Sequence, residues 1–237
     1  MEHELFLAVL VNRILKSVLA KAGVHLRHDL VPAHLLMTLI VTAIIIVFFK
    51  LSVRNLSLIP GRMQALLEAI YKFFLSLIDD MIGHEGRKFI PALGTLGIFI
   101  AVSNLIGLFP EMGSPTANLN VPAGCAVFVF LYYHYQGVKK HGLWGYIKTF
   151  TGPAWWLAWL IAPIEIISHF SRPMSLTIRL FCNIFGEDLV IVIIASLVPF
   201  VAPLPMMALA IFTSLLQAFI FVMLSTVYLG GAVASEH

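Results

Sequence analysis

Arg179 lies in the middle of an otherwise apolar stretch, Ser171-Arg172-Pro173-Met174-Ser175-Leu176-Thr177-Ile178-Arg179-Leu180-Phe181-Cys182-Asn183-Ile184-Phe185-Gly186-Glu187-Asp188. A guanidinium keeps its charge in any protein environment. Placing one near a bilayer centre costs about 2.5–3.5 kcal/mol even on lenient insertion scales. Intramembrane arginines usually line a pathway or face a partner charge, so the group that compensates Arg179 is expected to carry the function. Ser175, Arg179 and Asn183 recur at i, i+4 and i+8 and share one helix face, bordered by Leu176, Leu180 and Ile184. Glu187 and Asp188 follow two turns later, with Asp188 rotated to roughly the opposite side. They are too far along to pair closely with Arg179, so its counter-charge is expected from elsewhere, another subunit included. The structural alternative is Glu165 or a backbone carbonyl.

Other polar groups are weaker candidates. His169 lies one turn after Glu165 and is a secondary proton-relay candidate. For Asn104 and Gln217, hydrogen bonding between helices accounts for the residue as well as function does. His84, His134 and His141 sit near loop ends and read as surface groups. Arg172, just before Pro173, reads as the mark of a helix bend near the headgroups. Cys125 and Cys182 lie in apolar runs and read as small core residues, with no metal-ligand spacing. There is no Walker loop, metal cluster or nucleophile elbow. No catalytic residue, metal or cofactor is expected.

The elements that must position these groups follow from composition. The 237 residues are 60% hydrophobic and 11% charged, against about 25% charged in soluble domains. The expected fold class is therefore an all-α polytopic membrane protein forming a single membrane domain over 1–237. The net charge of +3 is small and sits in loops, which argues for membrane topology and against nucleic-acid binding. Residues 1–29 form an amphipathic tail with too many cations to span, and no signal or transit peptide is expected there. Helix 1 is expected over 30–53. The segment 60–85 repeats apolar residues at helical spacing with charges between them, as a helix lying on the membrane surface does.

A transmembrane hairpin is expected from 88–110 and 121–138. Gly94, Gly97 and Gly107 allow close helix approach in its first arm, and Tyr132, Tyr133 and Tyr135 act as interfacial aromatics at the end of the second. Residues 154–198 run for about 45 positions, nearly 70 Å of helix against a hydrocarbon core of roughly 30 Å, so a single crossing must be steeply tilted or partly surface-bound. A last helix covers 203–231. The internal loops 50–88 and 138–148 hold nearly all interhelical Lys and Arg, whereas 111–120 and 199–205 hold none. Basic loops stay cytoplasmic, which gives five crossings, an external N-terminus and an internal C-terminus. The basic tail argues the other way, but the contrast between internal loops repeats twice and decides.

The run Arg172-Pro173-Met174-Ser175-Leu176-Thr177-Ile178-Arg179-Leu180-Phe181-Cys182-Asn183 resembles subunit a of the F-type ATP synthase membrane sector. So do Ser103-Asn104-Leu105-Ile106-Gly107-Leu108-Phe109-Pro110, Ser114-Pro115-Thr116-Ala117 and Leu216-Gln217-Ala218-Phe219-Ile220-Phe221. The resemblance covers about residues 30–235. It implies a fold of one spanning helix, a surface helix, a transmembrane hairpin, and two long tilted helices forming a hairpin against the ring of c subunits. It implies a proton-translocating stator subunit in a bacterial inner membrane, N-terminus periplasmic and C-terminus cytoplasmic. Its partners would be the c-ring, the b-subunit peripheral stalk and the rest of the complex, besides lipid and protons.

Arg179 would be the essential stator arginine. Ser175 and Asn183 would be polar positions on its face, Gln217 its neighbour on the last helix, and Glu165 an acid at the head of the first long helix. Two departures stand out. Where the family commonly reads Ala-Gly-Glu, this chain has Gly186-Glu187-Asp188; counting from Arg179, Asp188 occupies the position of the half-channel acid, with the adjacent Glu187 placed to share or replace that role. Two turns before Gln217, where many members carry a His or an acid, it has Ala210. A reading from another class, an autonomous secondary transporter or channel, would show internal repeats and broken helices at matching places in two halves. No repeat is visible here.

Overall fold

A computed structural model describes residues 32–54, 57, 60–109, 113–151, 158–198 and 201–233. The expected tail over 1–29 lies outside the described residues. Among these residues every regular element is helical, with six α-helices: α1 (Ala33–Ser52), α2 (Arg62–Ile82), α3 (Ile90–Gly107), α4 (Asn120–Thr151), α5 (Ala158–Leu197) and α6 (Pro203–Val233). Short 3-10 turns, His84–Phe89 and Pro115–Ala117, lead into α3 and α4. Four helical segments among the described residues, α1, His84–Gly107, α5 and α6, are long and apolar enough to cross a membrane. The fifth expected crossing falls on α4, whose second half carries Tyr132, Tyr133, His134, Tyr135 and Gln136 and is correspondingly less apolar.

α1 follows Pro32, whose fixed φ suits a helix start, and is apolar on all sides. It buries only Met37 and Val41, one turn apart, with Met37 packed near Ile106 at the end of α3. α2 is amphipathic and turns Phe74 and Ile78 inward. Gly83, at φ 81°, ends it in a conformation that side-chain-bearing residues rarely adopt. α3 then packs closely on its neighbours: a Cβ at Gly97 would sit 2.7 Å from Val222 of α6 and 3.0 Å from the Phe74 ring.

α4 is bent at Gly142 (φ 74°, ψ 165°), and the chain beyond it returns so that Tyr146 packs against Gly137. α5 runs for 40 residues straight through Pro163 and Pro173. At about 1.5 Å per residue it is close to 60 Å long, twice a hydrocarbon core. The common core gathers Ile100 of α3, Val129 of α4, Leu180 of α5 and Phe221 and Val222 of α6.

Three sequence expectations change. Tyr133 is only 1% exposed and belongs to the core, not to an interfacial belt, because α5 covers that side of α4. His134 is half-buried in the same place and bonded to Tyr146. Cys125 is buried, whereas Cys182 is exposed, since i+3 from Arg179 puts it on the uncovered side of α5.

Candidate functional site

The stripe Leu176, Leu180 and Ile184 fastens α5 to the core, with Leu180 fully buried. Turning that stripe inward leaves Ser175 and Arg179 exposed on the adjoining side of the helix. Their surroundings there are Met174, Ile178 and Phe185, all exposed and apolar. Among the described residues no ion pair is found for Arg179; the ion pairs present involve Asp79, Glu85 and Glu165. The cation therefore stands in an apolar wall that the described residues do not cover.

One turn on, Asn183 reaches across to α6. Its Nδ2 donates to Oε1 of Gln217 at 2.5 Å, and Gln217 is 2% exposed. Asn183 thus lies one turn from Arg179, as the helical spacing requires, and Gln217 is bonded to Asn183 from α6. One turn before Gln217, the backbone carbonyl of Ser214 accepts a bond from Asn104 Nδ2 at 3.3 Å. Asn104 Oδ1 accepts from Thr116 at 2.6 Å, and Ser114 bonds Thr116 at 2.7 Å and donates to the Ser103 carbonyl at 3.1 Å. A continuous polar seam therefore joins α3, the Pro115–Ala117 turn and α6. Along it Gln217 Nε2, Ser103 Oγ and Ser214 Oγ are buried without a partner among the described residues.

Glu187 and Asp188 have different surroundings. A cavity of about 220 Å³ opens between α5 and α6, lined by Gly186, Glu187, Met206, Ala210 and Thr213 among others. Glu187 borders it together with Thr213, whose hydroxyl donates to the carbonyls of Leu209 and Ala210 at 3.1 Å. Asp188, a further 100° around the helix, does not line it. The small Gly186 and Ala210 leave the space that Glu187 faces.

Glu165 does not approach Arg179. Its Oε1 lies 3.3 Å from Nε2 of His169, one turn along α5. Nδ1 of His169 meets the hydroxyl of Tyr133 at 2.9 Å, and the Arg172 guanidinium lies over the Tyr228 ring at 5.2 Å. Arg172 thus joins α5 to α6 within a continuous helix. Tyr133, His134, Tyr146 and Tyr228 were absent from the sequence candidates. The signal that could have found them is the aromatic run Tyr132-Tyr133-His134-Tyr135, which has one histidine at its centre.

The profile of the family described as ATP synthase A chain matches residues 35–230. This chain belongs to that family. It is 47% identical over 214 residues to the ATP synthase subunit a of Desulfosudis oleivorans, covering 90% of this chain and 92% of the relative. To ATP synthase subunit a 3 of Pelobacter propionicus it is 42% identical over 220 residues, 90% of this chain and 96% of the relative. To the subunit a of Sulfurimonas denitrificans it is 41% identical over 210 residues, 88% and 94% of the two chains. As an ATP synthase A chain, it combines an uncovered arginine, a polar seam and a cavity bordered by an acid on the same pair of long helices.

Proposed function

We propose that this chain is the proton-translocating, non-catalytic stator subunit of a bacterial F-type ATP synthase, lying against a ring of c subunits and tied to the b-subunit stalk. The observation that carries this reading is Arg179, exposed in an apolar wall with no ion pair among the described residues. A carboxylate on a passing c subunit must be neutral while it faces lipid, where a bare charge is prohibitively costly. Opposite Arg179 its ionised form is favoured and the proton leaves. Beyond Arg179 the carboxylate is reprotonated from the other aqueous half-channel. The fixed cation also repels a proton passing directly between the half-channels. A field of 100 mV contributes about 2.3 kcal/mol per charge moved, which biases the direction.

Two sets of residues would serve the two half-channels. On one side are Glu187 with its cavity and Thr213, and the Asn104 seam that ends at Gln217; in this reading Glu187 is the relay and Asp188 is not. On the other side are Glu165 and His169. Five crossings result if α4 spans, and a bilayer of about 30 Å requires α5 to lie obliquely, so that α5 and α6 follow the flank of the ring. Lys139 and Lys140, just before the Gly142 bend of α4, and Arg62 and Lys72 on α2 favour a cytoplasmic location for that side. The N-terminus would then be periplasmic and the C-terminus cytoplasmic.

The test is Arg179→Ala in vesicles carrying the reconstituted complex. ATP-driven proton pumping is expected to vanish while ATP hydrolysis by the detached catalytic sector persists. Normal pumping by this variant would overturn the reading.

A further inference from the structure

Where the second half of α4 meets the first half of α5, two tyrosines and two histidines interlock. The Tyr146 hydroxyl lies 2.8 Å from His134 Nδ1, and the His134 and His169 ring centroids are 5.1 Å apart. Both nitrogens of His169 are engaged, Nδ1 with Tyr133 at 2.9 Å and Nε2 with Glu165 at 3.3 Å. Tyr133 and Tyr146 are 1% and 7% exposed, whereas the Glu165 side chain is 37% exposed. The cluster therefore runs from a closed interior to an accessible carboxylate.

Its construction depends on backbone that only glycine supplies. Gly142 takes φ 74°, which returns Tyr146 towards His134. Gly137 has no Cβ, and any Cβ there would collide with the Tyr146 ring. Arg172 and Tyr228 close the α6 side. Among the described residues, the titratable and charged groups around His169 include Tyr133, His134 and Tyr146 from α4 and Glu165 and Arg172 from α5, with Tyr228 of α6 behind Tyr133 and Arg172.

We infer that His169 exchanges protons with Glu165, and that Tyr133, His134 and Tyr146 are positioning residues that hold its ring for that exchange. When Nδ1–H of His169 donates to the Tyr133 oxygen, Nε2 is left as the basic nitrogen, aimed at the carboxyl group. A proton taken up by the Glu165 carboxylate then passes from its oxygen to Nε2, leaving a carboxylate and an imidazolium. The reverse step returns it, and no other atom or electron moves. The ring of His134, braced by Tyr146, prevents His169 from swinging away. This inference rests on the proton-translocating reading above and adds to it the group that exchanges with Glu165.

The experiment uses the assembled complex in vesicles, with Arg179→Ala, His169→Gln and His169→Ala measured side by side. Retention of the catalytic sector on the membrane confirms assembly of each variant. His169→Gln keeps a hydrogen-bonding side chain that cannot carry a proton, and pumping is expected to fall about tenfold. His169→Ala is expected to fall at least as far and to recover when imidazole is added on the Glu165 side. Tyr133→Phe, which keeps the ring and deletes the hydroxyl, is expected to change the pH profile of pumping. Full activity of His169→Gln, or no recovery of assembled His169→Ala with imidazole, would overturn the inference even if Arg179→Ala behaves as expected. Normal pumping by Arg179→Ala would instead overturn the underlying reading.

Discussion

Glu187 and Asp188 are neighbours in sequence, yet they separate sharply on the helix. Glu187 borders the cavity left by Gly186 and Ala210, with Thr213 also in its lining, whereas Asp188 does not line it. Glu187→Gln is therefore expected to lower ATP-driven pumping by about tenfold or more, the scale of a lost proton-transfer group. Asp188→Asn should stay within about threefold on the same scale. Initial pumping rates in vesicles decide between them, and the reverse ranking would move the relay to Asp188. At this scale the sequence made the Arg179 face legible, because Ser175, Arg179 and Asn183 repeat at helical spacing against a contrasting stripe of Leu176, Leu180 and Ile184. It did not separate Glu187 from Asp188, since the difference lies in what α6 offers opposite each of them. Nor did it find Tyr133 and His134, because an aromatic run near the end of an expected span looks the same whether lipid headgroups or another helix covers it.

Among the elements, the contact of α3 with α6 is the tightest test of packing. Gly97 is fitted against Val222 and the Phe74 ring, so Gly97→Ala must push one of them aside. Overpacking of this kind costs about 1–3 kcal/mol. Thermal unfolding of the purified protein in detergent should show a lowered midpoint for Gly97→Ala. Gly124, with nothing within 4 Å of its Cβ position, is the control, and Gly124→Ala should leave the midpoint nearly unchanged. The long apolar runs that became α1, α3, α5 and α6 were legible because length and hydropathy alone mark them. The fold-back of α4 at Gly142 was not, because a glycine in a Lys-Lys-His-Gly context reads equally well as the end of a helix. The prolines of α5 did not hide that helix: it continues through Pro163 and Pro173, as the long run over 154–198 suggests.

At the scale of the whole molecule, one end is fastened by charges. Arg87 grips Asp79 through two nitrogens, the shorter contact 2.7 Å, and Lys140 reaches Glu85 at 3.1 Å, joining α2, α4 and the turn before α3. The hydrogen bond from Arg87, more than the charge itself, holds the Asp79 carboxyl below its ordinary range. Because the folded value is depressed, this stabilisation is present above the unfolded value and is lost as pH falls through the folded one. Hydrogen-exchange protection around residues 79–89, taken relative to the intrinsic rate at each pH, should therefore fall as the pH drops below about 4. Asp79→Asn should exchange faster already at neutral pH and lose that acid dependence; an unchanged pH response would show that the grip does not hold this end. The upper and lower halves of α5 are secured in a different manner. Arg172 is pinned to Tyr228 and Asn183 to Gln217, with Arg179 between these two braces. The braces lie eleven residues apart, about 16 Å along the axis. A sideways load delivered to Arg179 is therefore carried as it would be by a beam strutted on both sides of the point of force. α5 resists rolling about its own axis, and the guanidinium keeps its bearing while whatever pushes on it moves past.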